Sequence, residues 1–401
     1  MKSHFKLFLI VAFAWLVTAP VQAAFTSIHV FGDGISCTAT NPGAGPYYYG
    51  KRFSNGRVWV EVLAQQQGLA FDPLQNKDSF FGNTSDKLAA EIKAYTPPAD
   101  ASNALVVIWV NNADMYYPAL DPSPTLAKFN DVINRAVTNQ FNAITNLYAK
   151  GIRTLVMPNV VDISSIPEFN NYILYKGLLR QASVNYNAAF YPMINKARAA
   201  CPGLTIVVPD FFALLEDLLA NPADYGVVNA LLNQGNGLLS IDAMDSPLLL
   251  DKSLNGPGAN YIFWDYVNPT AKVHYIMACM AQQLISPVKI GKIIPMEGSN
   301  RLDLVNLPIG MGGNIENSTN MAQSSWSLVT NFTCSASKQS LFVVAPPLPE
   351  GFGTGGGGGY DGSGPPVPGS GTSSGTGTNN LALNVAAQFY RLHFPFNWQW
   401  P

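Results

Sequence analysis

The chain has 401 residues, a formal net charge of −2 and 12% charged residues, about half the usual share of roughly 25%. That near-neutral balance gives no electrostatic basis for binding nucleic acid or an acidic membrane surface. The length admits one large core and a second small one, and a polar surface built mostly from Asn, Gln, Ser and Thr suits an extracytoplasmic protein.

At the N-terminus, Lys2 and Lys6 precede an apolar run from Leu7 to Val17, followed by Pro20 and the small-residue exit Val21-Gln22-Ala23-Ala24. This pattern predicts a secretory signal peptide over residues 1–24. The apolar run is shorter than the ~20 residues of a spanning helix, and no later stretch is long and apolar enough. No transmembrane segment is therefore expected after signal removal. From Phe25 to about Pro287, continuous aliphatic runs predict strands at Ser27–Phe31, Leu105–Trp109, Arg153–Met157 and Thr205–Val208. Helical periodicity predicts helices at Val58–Gln67, Leu126–Lys150, Ile173–Ala199 and Thr270–Leu284. The alternation argues for a three-layer α/β domain over residues 25–287 with a parallel sheet. Ligands of such folds sit beyond the C-terminal strand ends, where Gly34 and Asn111 fall.

After Pro287 the helical period stops. Short β-like runs follow at Val288–Ile294, Arg301–Val305, Ser325–Phe332 and Ser340–Val344, then a Gly/Pro-rich tract over about 346–378 and a last strand within Leu381–Phe394. Residues 288–401 read as a small β domain carrying a flexible insertion, with the aromatic tail from Phe396 expected to pack on it. Cys37, Cys201, Cys279 and Cys334 allow three disulfide pairings. Their wide spacing and only four histidines argue against a metal, and no cofactor is expected. Cys37 has no nearby histidine to activate it and reads as a buried or paired thiol.

Four blocks in order carry a family resemblance: Phe31-Gly32-Asp33-Gly34-Ile35-Ser36, Arg52-Phe53-Ser54-Asn55-Gly56-Arg57-Val58-Trp59, Trp109-Val110-Asn111-Asn112-Ala113-Asp114 and Asp265-Tyr266-Val267-Asn268-Pro269-Thr270. From Ser27 to Leu284 the chain resembles the SGNH/GDSL hydrolases, a flavodoxin-like α/β family of lipases, esterases and acylhydrolases. The resemblance implies a nucleophilic serine after Gly-Asp, a histidine three residues past the triad aspartate, and oxyanion donors from a glycine and an asparagine. Here the nucleophile position is Gly34 and the base position is Asn268, whose amide cannot shuttle a proton. Asp265 holds the triad-acid position and Gly56 the oxyanion glycine. Ala113 takes the place of the oxyanion asparagine and Asn111 that of the glycine before it, with Asn112 one residue away to supply the amide.

Ser36 is the alternative nucleophile, but a helical turn would rotate it by about 200° away from the site, where it would serve better as a helix cap. His274 lies about 9 Å along its helix from Asn268 and reads as structural. A metal centre from Asp33, Asp114 and Asp265 is the weaker alternative, since Asp33 and Asp114 suit loop-tying through backbone N–H groups. The expectation is thus an exported SGNH-fold protein, degenerate in catalysis, whose cleft takes a small-molecule ester or glycan. The alternatives are an active carboxylester hydrolase using Ser36, or a cell-surface scaffold displaying the β module. Phe389-Tyr390-Arg391-Leu392 resembles the ends of small β modules in bacterial exported proteins.

Overall fold

The computed structural model describes residues 25–41, 45–233, 237–296, 298–318, 326–344 and 389–393. The expected signal peptide, the Gly/Pro-rich tract and the aromatic tail lie outside them. The first strand, β1 (Ser27–Gly32), leads through a long connection to α1 (Trp59–Gln66) and α2 (Leu88–Ala94). Then follow β2 (Ala104–Trp109), α3 (Asn111–Ala119), α4 (Leu126–Ala149), β3 (Thr154–Val156), α5 (Lys176–Ala200), β4 (Thr205–Val207) and α6 (Phe211–Ala220). A short hairpin, β5 (Leu231–Asn233) with β6 (Leu238–Ser240), precedes α7 (Ala271–Ile285).

β1 to β4 form one parallel sheet in the order β1-β2-β3-β4. All six residues of β2 are buried, as both-face coverage by helices requires. On those faces α1 packs on α7 and α4 packs on α5. Trp59, Trp109 and Phe211 meet edge-on at centroid separations of 5.6, 5.6 and 5.0 Å, an aromatic contact joining α1, β2 and α6. The expected elements of this region are present within a few residues. Three helices escape the periodicity: α2 is short, α3 contains Pro118, and α6 is apolar nearly throughout.

Past α7 the described residues form strands only. β7 (Lys289–Met296), β8 (Ser299–Val305) and β11 (Lys338–Val344) make one antiparallel sheet, ordered β11-β8-β7. β9 (Gly312–Ser318), β10 (Ser327–Thr333) and β12 (Phe389–His393) make another, ordered β10-β9-β12. The sheets share a small core of Leu302, Leu304, Leu307, Met311 and Ile315. That core reaches α7 and α1, where Ile309 N donates to Gln66 O (3.3 Å) and Gln66 Nε2 lies 3.3 Å from Cys279 Sγ. The four cysteines are buried and unpaired.

Gly32 ends β1 in a tight place. A Cβ there would lie 2.6 Å from Ser36 Cβ and 3.0 Å from Ser79 Oγ. Gly32→Ala is expected to cost about 1–3 kcal/mol by overpacking. Gly177→Ala, in α5 with nothing within 4 Å of the new methyl, should instead add roughly 0.5–1 kcal/mol. Urea unfolding of the two variants measures both signs.

Candidate functional site

The β1–β2 ladder continues one residue past the strand, where Asp33 N donates to Trp109 O (3.0 Å). The end of β1 and the start of α3 therefore share one sheet edge. Gly34–Ser36 form a single 3-10 turn capped by Asp33, whose Oδ1 accepts from Ile35 N (3.0 Å). A Cβ at Gly34 would stand 3.1 Å from Phe81 Cδ2, so an aromatic ring crowds the nucleophile position. That ring spans the opening, 5.7 Å from Phe53 on one side and 5.8 Å from Tyr116 on the other.

The Asp265–Asn268 loop is a closed turn. Trp264 N donates to Asn268 O (2.8 Å), and Phe263 bridges Pro269. Asp265 Oδ1 accepts from Val267 N (3.0 Å), Asn268 N (2.8 Å) and Asn268 Nδ2 (2.9 Å), while Oδ2 accepts from Tyr48 OH (3.1 Å) and Asn268 Nδ2 (3.1 Å). The Asn268 amide thus donates to the carboxylate as an imidazole N–H would, without a proton to exchange. Burial raises Asp265 to about 6, against the lowering effect of these donors.

A cleft of about 530 Å³, counting its open mouth, lies between these parts. Asp33, Gly34, Asn112, Ala113 and Asn268 line its polar side, with Phe81, Tyr116, Tyr117 and Ile163 among its apolar walls. Ala113 offers only a methyl group there. Asn112 Oδ1 accepts from Val161 N (3.2 Å), and its buried side chain also lies against Asp33, lowering that carboxyl against the larger raising effect of burial.

Two expected ligand-site residues do not line this cleft. Asn111 Nδ2 donates to Pro158 O (2.9 Å) in the interior. Gly56 packs under α7, where a Cβ would lie 2.7 Å from Ala271 Cβ. Its neighbours explain the placement: Asn55 Oδ1 accepts from Ala271 N (2.8 Å), and Ser54 Oγ donates to Pro269 O (3.0 Å). The second block thus braces the Asp265–Asn268 loop.

Ser36 is not a helix cap. Its Oγ is buried and accepts from Trp59 Nε1 (3.0 Å), away from the cleft lining. Trp59 N donates to His274 Nδ1 (3.3 Å), and burial pushes His274 down to about 3, so its ring is neutral and already used as an acceptor. The same tryptophan thus engages both candidate substitutes for the triad. Asp114 Oδ1 accepts from Ser85 N (2.9 Å) and Ser85 Oγ (3.0 Å). Among the described residues, no group of three or more His, Cys, Asp or Glu is placed to hold a metal ion.

The family model described as GDSL-like Lipase/Acylhydrolase matches residues 28–279, more than half of the chain. The GDSL esterase/lipase EXL3 of Arabidopsis thaliana is 25% identical over 147 residues, covering 34% of this chain and 39% of that protein. The secreted effector protein SseJ of Salmonella typhimurium is 23% identical over 255 residues, covering 60% of this chain and 56% of that protein. The alignments thus span about two fifths and just over half of these relatives' lengths. Among solved structures, Axe2, an acetylxylan esterase from Geobacillus stearothermophilus, aligns over 65% of this chain and 95% of its own, with 12% identity and a TM-score of 0.38.

Burial raises Asp33 and Asp114 to about 7, and Glu91 likewise to about 7. With Asp265 these groups hold protons more tightly folded than unfolded. Their contribution to stability is present below about pH 4 and lost as pH rises through about 6 to 7. His274 acts oppositely, but only as pH falls below about 6.5. The melting temperature is expected to be higher near pH 6 than near pH 8, and Asp33→Asn should narrow the gap. Equal values at both pH settings, or a gap unchanged in the variant, would refute the assignment.

Proposed function

The chain belongs to the GDSL-like lipase/acylhydrolase family, and from that premise we propose that it is an exported member whose cleft holds an acyl- or glycan-type ligand without ordinary ester turnover. One observation carries the reading: the nucleophile position is Gly34, with Phe81 3.1 Å from where a side chain would begin. Asn268 supports it, since this amide is bonded to Asp265 and cannot take a proton from an attacking hydroxyl or water. Loss of nucleophile and base in a hydrolase of this logic lowers turnover by roughly 10⁶-fold. Ligand contacts remain at the aromatic walls of Phe81, Tyr116 and Tyr117.

Export is supported by the basic and apolar N-terminal pattern and by the likeness to SseJ, a secreted effector protein. A division near residue 287 is part of the same proposal, with the strands beyond it serving cell-surface association. Exposed Leu328, Phe342 and Val344 on those strands support that role.

Hydrolysis of short- and medium-chain p-nitrophenyl esters by the purified chain tests the reading. The natural chain should be silent. Gly34→Ser with Ala113→Asn and Asn268→His should turn over weakly, and adding Phe81→Ala should raise the rate at least tenfold by freeing the serine rotamer. Saturable cleavage by the natural chain would sink the proposal.

A further inference from the structure

A groove of about 720 Å³, counting its open mouth, shares no lining residue with the cleft. Leu69, Phe71 and Pro73, on the chain after α1, form its apolar wall, and Ile309 closes it from the side of the β strands. All four are half-buried, and Arg57 and Gln65 stand exposed at the rim. Arg57 is held there, with Nη2 donating to Glu61 O (2.7 Å) and Nη1 to Gln65 Oε1. A guanidinium at the edge of apolar surface suits an indole ring by cation–π attraction. The same contact occurs among the β strands, where Arg391 Cζ lies 4.5 Å from the centre of the Trp326 ring.

The chain itself carries a segment of matching chemistry. β12 is followed by Phe394-Pro395-Phe396-Asn397-Trp398-Gln399-Trp400-Pro401, outside the described residues. From Tyr390 to Trp400 every even-numbered residue is aromatic or leucine, and every odd-numbered one between them is polar or proline. That is the period of an extended strand with one covered face. Its covered face is fixed at the start, since Tyr390 and Leu392 pack on the core of the β strands while Arg391 pairs with Glu316 (2.5 Å) on the other face. β12 runs antiparallel to β9, and His393 stands opposite Asn314. From Asn314 the β9 chain leads back through Met311 to Ile309 at the groove, five residues away and so at most ~17 Å. The eight residues after His393 can span up to ~26 Å.

We propose that Phe394–Pro401 lies extended over this groove, with Trp398 and Trp400 against Leu69, Phe71 and the Arg57 guanidinium. It thereby ties the β strands to α1 and is not packed on the β strands alone. The segment has no charged side chain. Glu61, the groove's carboxylate, is already paired with Arg52 (2.5 Å), so the rings bury no unpaired charge.

Photo-cross-linking of the full chain, with p-benzoylphenylalanine in place of Trp398 and the products mapped by mass spectrometry, tests the placement. Cross-links should fall on Leu69, Phe71, Pro73 or Ile309. Phe71→Lys should remove most of them. Ile309→Lys is the second variant, and melting temperatures check that each folds. The competing surface is the outward face of the β11-β8-β7 sheet, where the register brings Phe342, Val344, Ile294 and Met296 together. Cross-links on that face, to a second copy of the chain, or nowhere in the protein overturn the proposal. So does a groove cross-link that both folded variants retain.

Discussion

The parallel pairing of β1 with β2, prolonged by the Asp33 N to Trp109 O bond, is the constraint on which the site depends. It fixes the end of one strand and the start of α3 at a common height. Gly34, Asn112 and Ala113 converge for that reason, although nearly eighty residues separate the first from the others. The opposite wall depends on a second constraint, the turn closed by Asp265. That turn is held from outside by Asn55 and Ser54, so two distant blocks of sequence are coupled through the N-terminus of α7. The catalytic substitutions leave this frame intact because its bonds are made by backbone groups and by side chains outside the triad.

Much of the frame was legible in the sequence. The continuous Ala104–Trp109 run could only be a strand covered on both faces, and the 24-residue period of α4 was equally plain. Of the positions those blocks named, Gly34, Ala113 and Asn268 line one cleft, and Asp265 is bonded to Asn268. Gly56 and Asn111 lie outside the cleft lining, and a sequence pattern does not reveal whether a backbone segment lines a cavity or braces a loop. Ser36 had the spacing of a cap, but the indole of Trp59, twenty-three residues on, took its oxygen instead. Phe81 lay outside every motif. Its position over Gly34 follows from the Ser79 bridge to Gly32, a long-range pairing with no local signature.

The electrostatics of the interior follow the same division between frame and chemistry. Asp114 and Asp265 are bonded by N–H and O–H donors and not by cations, and Asp33 accepts from Ile35 N at Oδ1. In a low-dielectric interior such donors only partly offset the loss of hydration, and the carboxyls keep protons near neutrality. In an active relative of this architecture, a serine and an imidazole would add a mobile proton beside Asp265. Here the Asn268 amide occupies that place as a neutral spacer, which keeps the loop geometry without the charge.

Phe81 also bears on how far the site lies from ester chemistry. A serine introduced at position 34 alone would need the Phe81 ring, 40% exposed, to give by a few tenths of an ångström. Loss of the ring alone would open the cleft with nothing there to attack an ester. Neither change brings ester chemistry while Asn268 holds the base position, and with the base changed the ring still limits the rate. On the non-hydrolytic reading proposed above, the cleft lies several coupled substitutions, and not one, from ester chemistry.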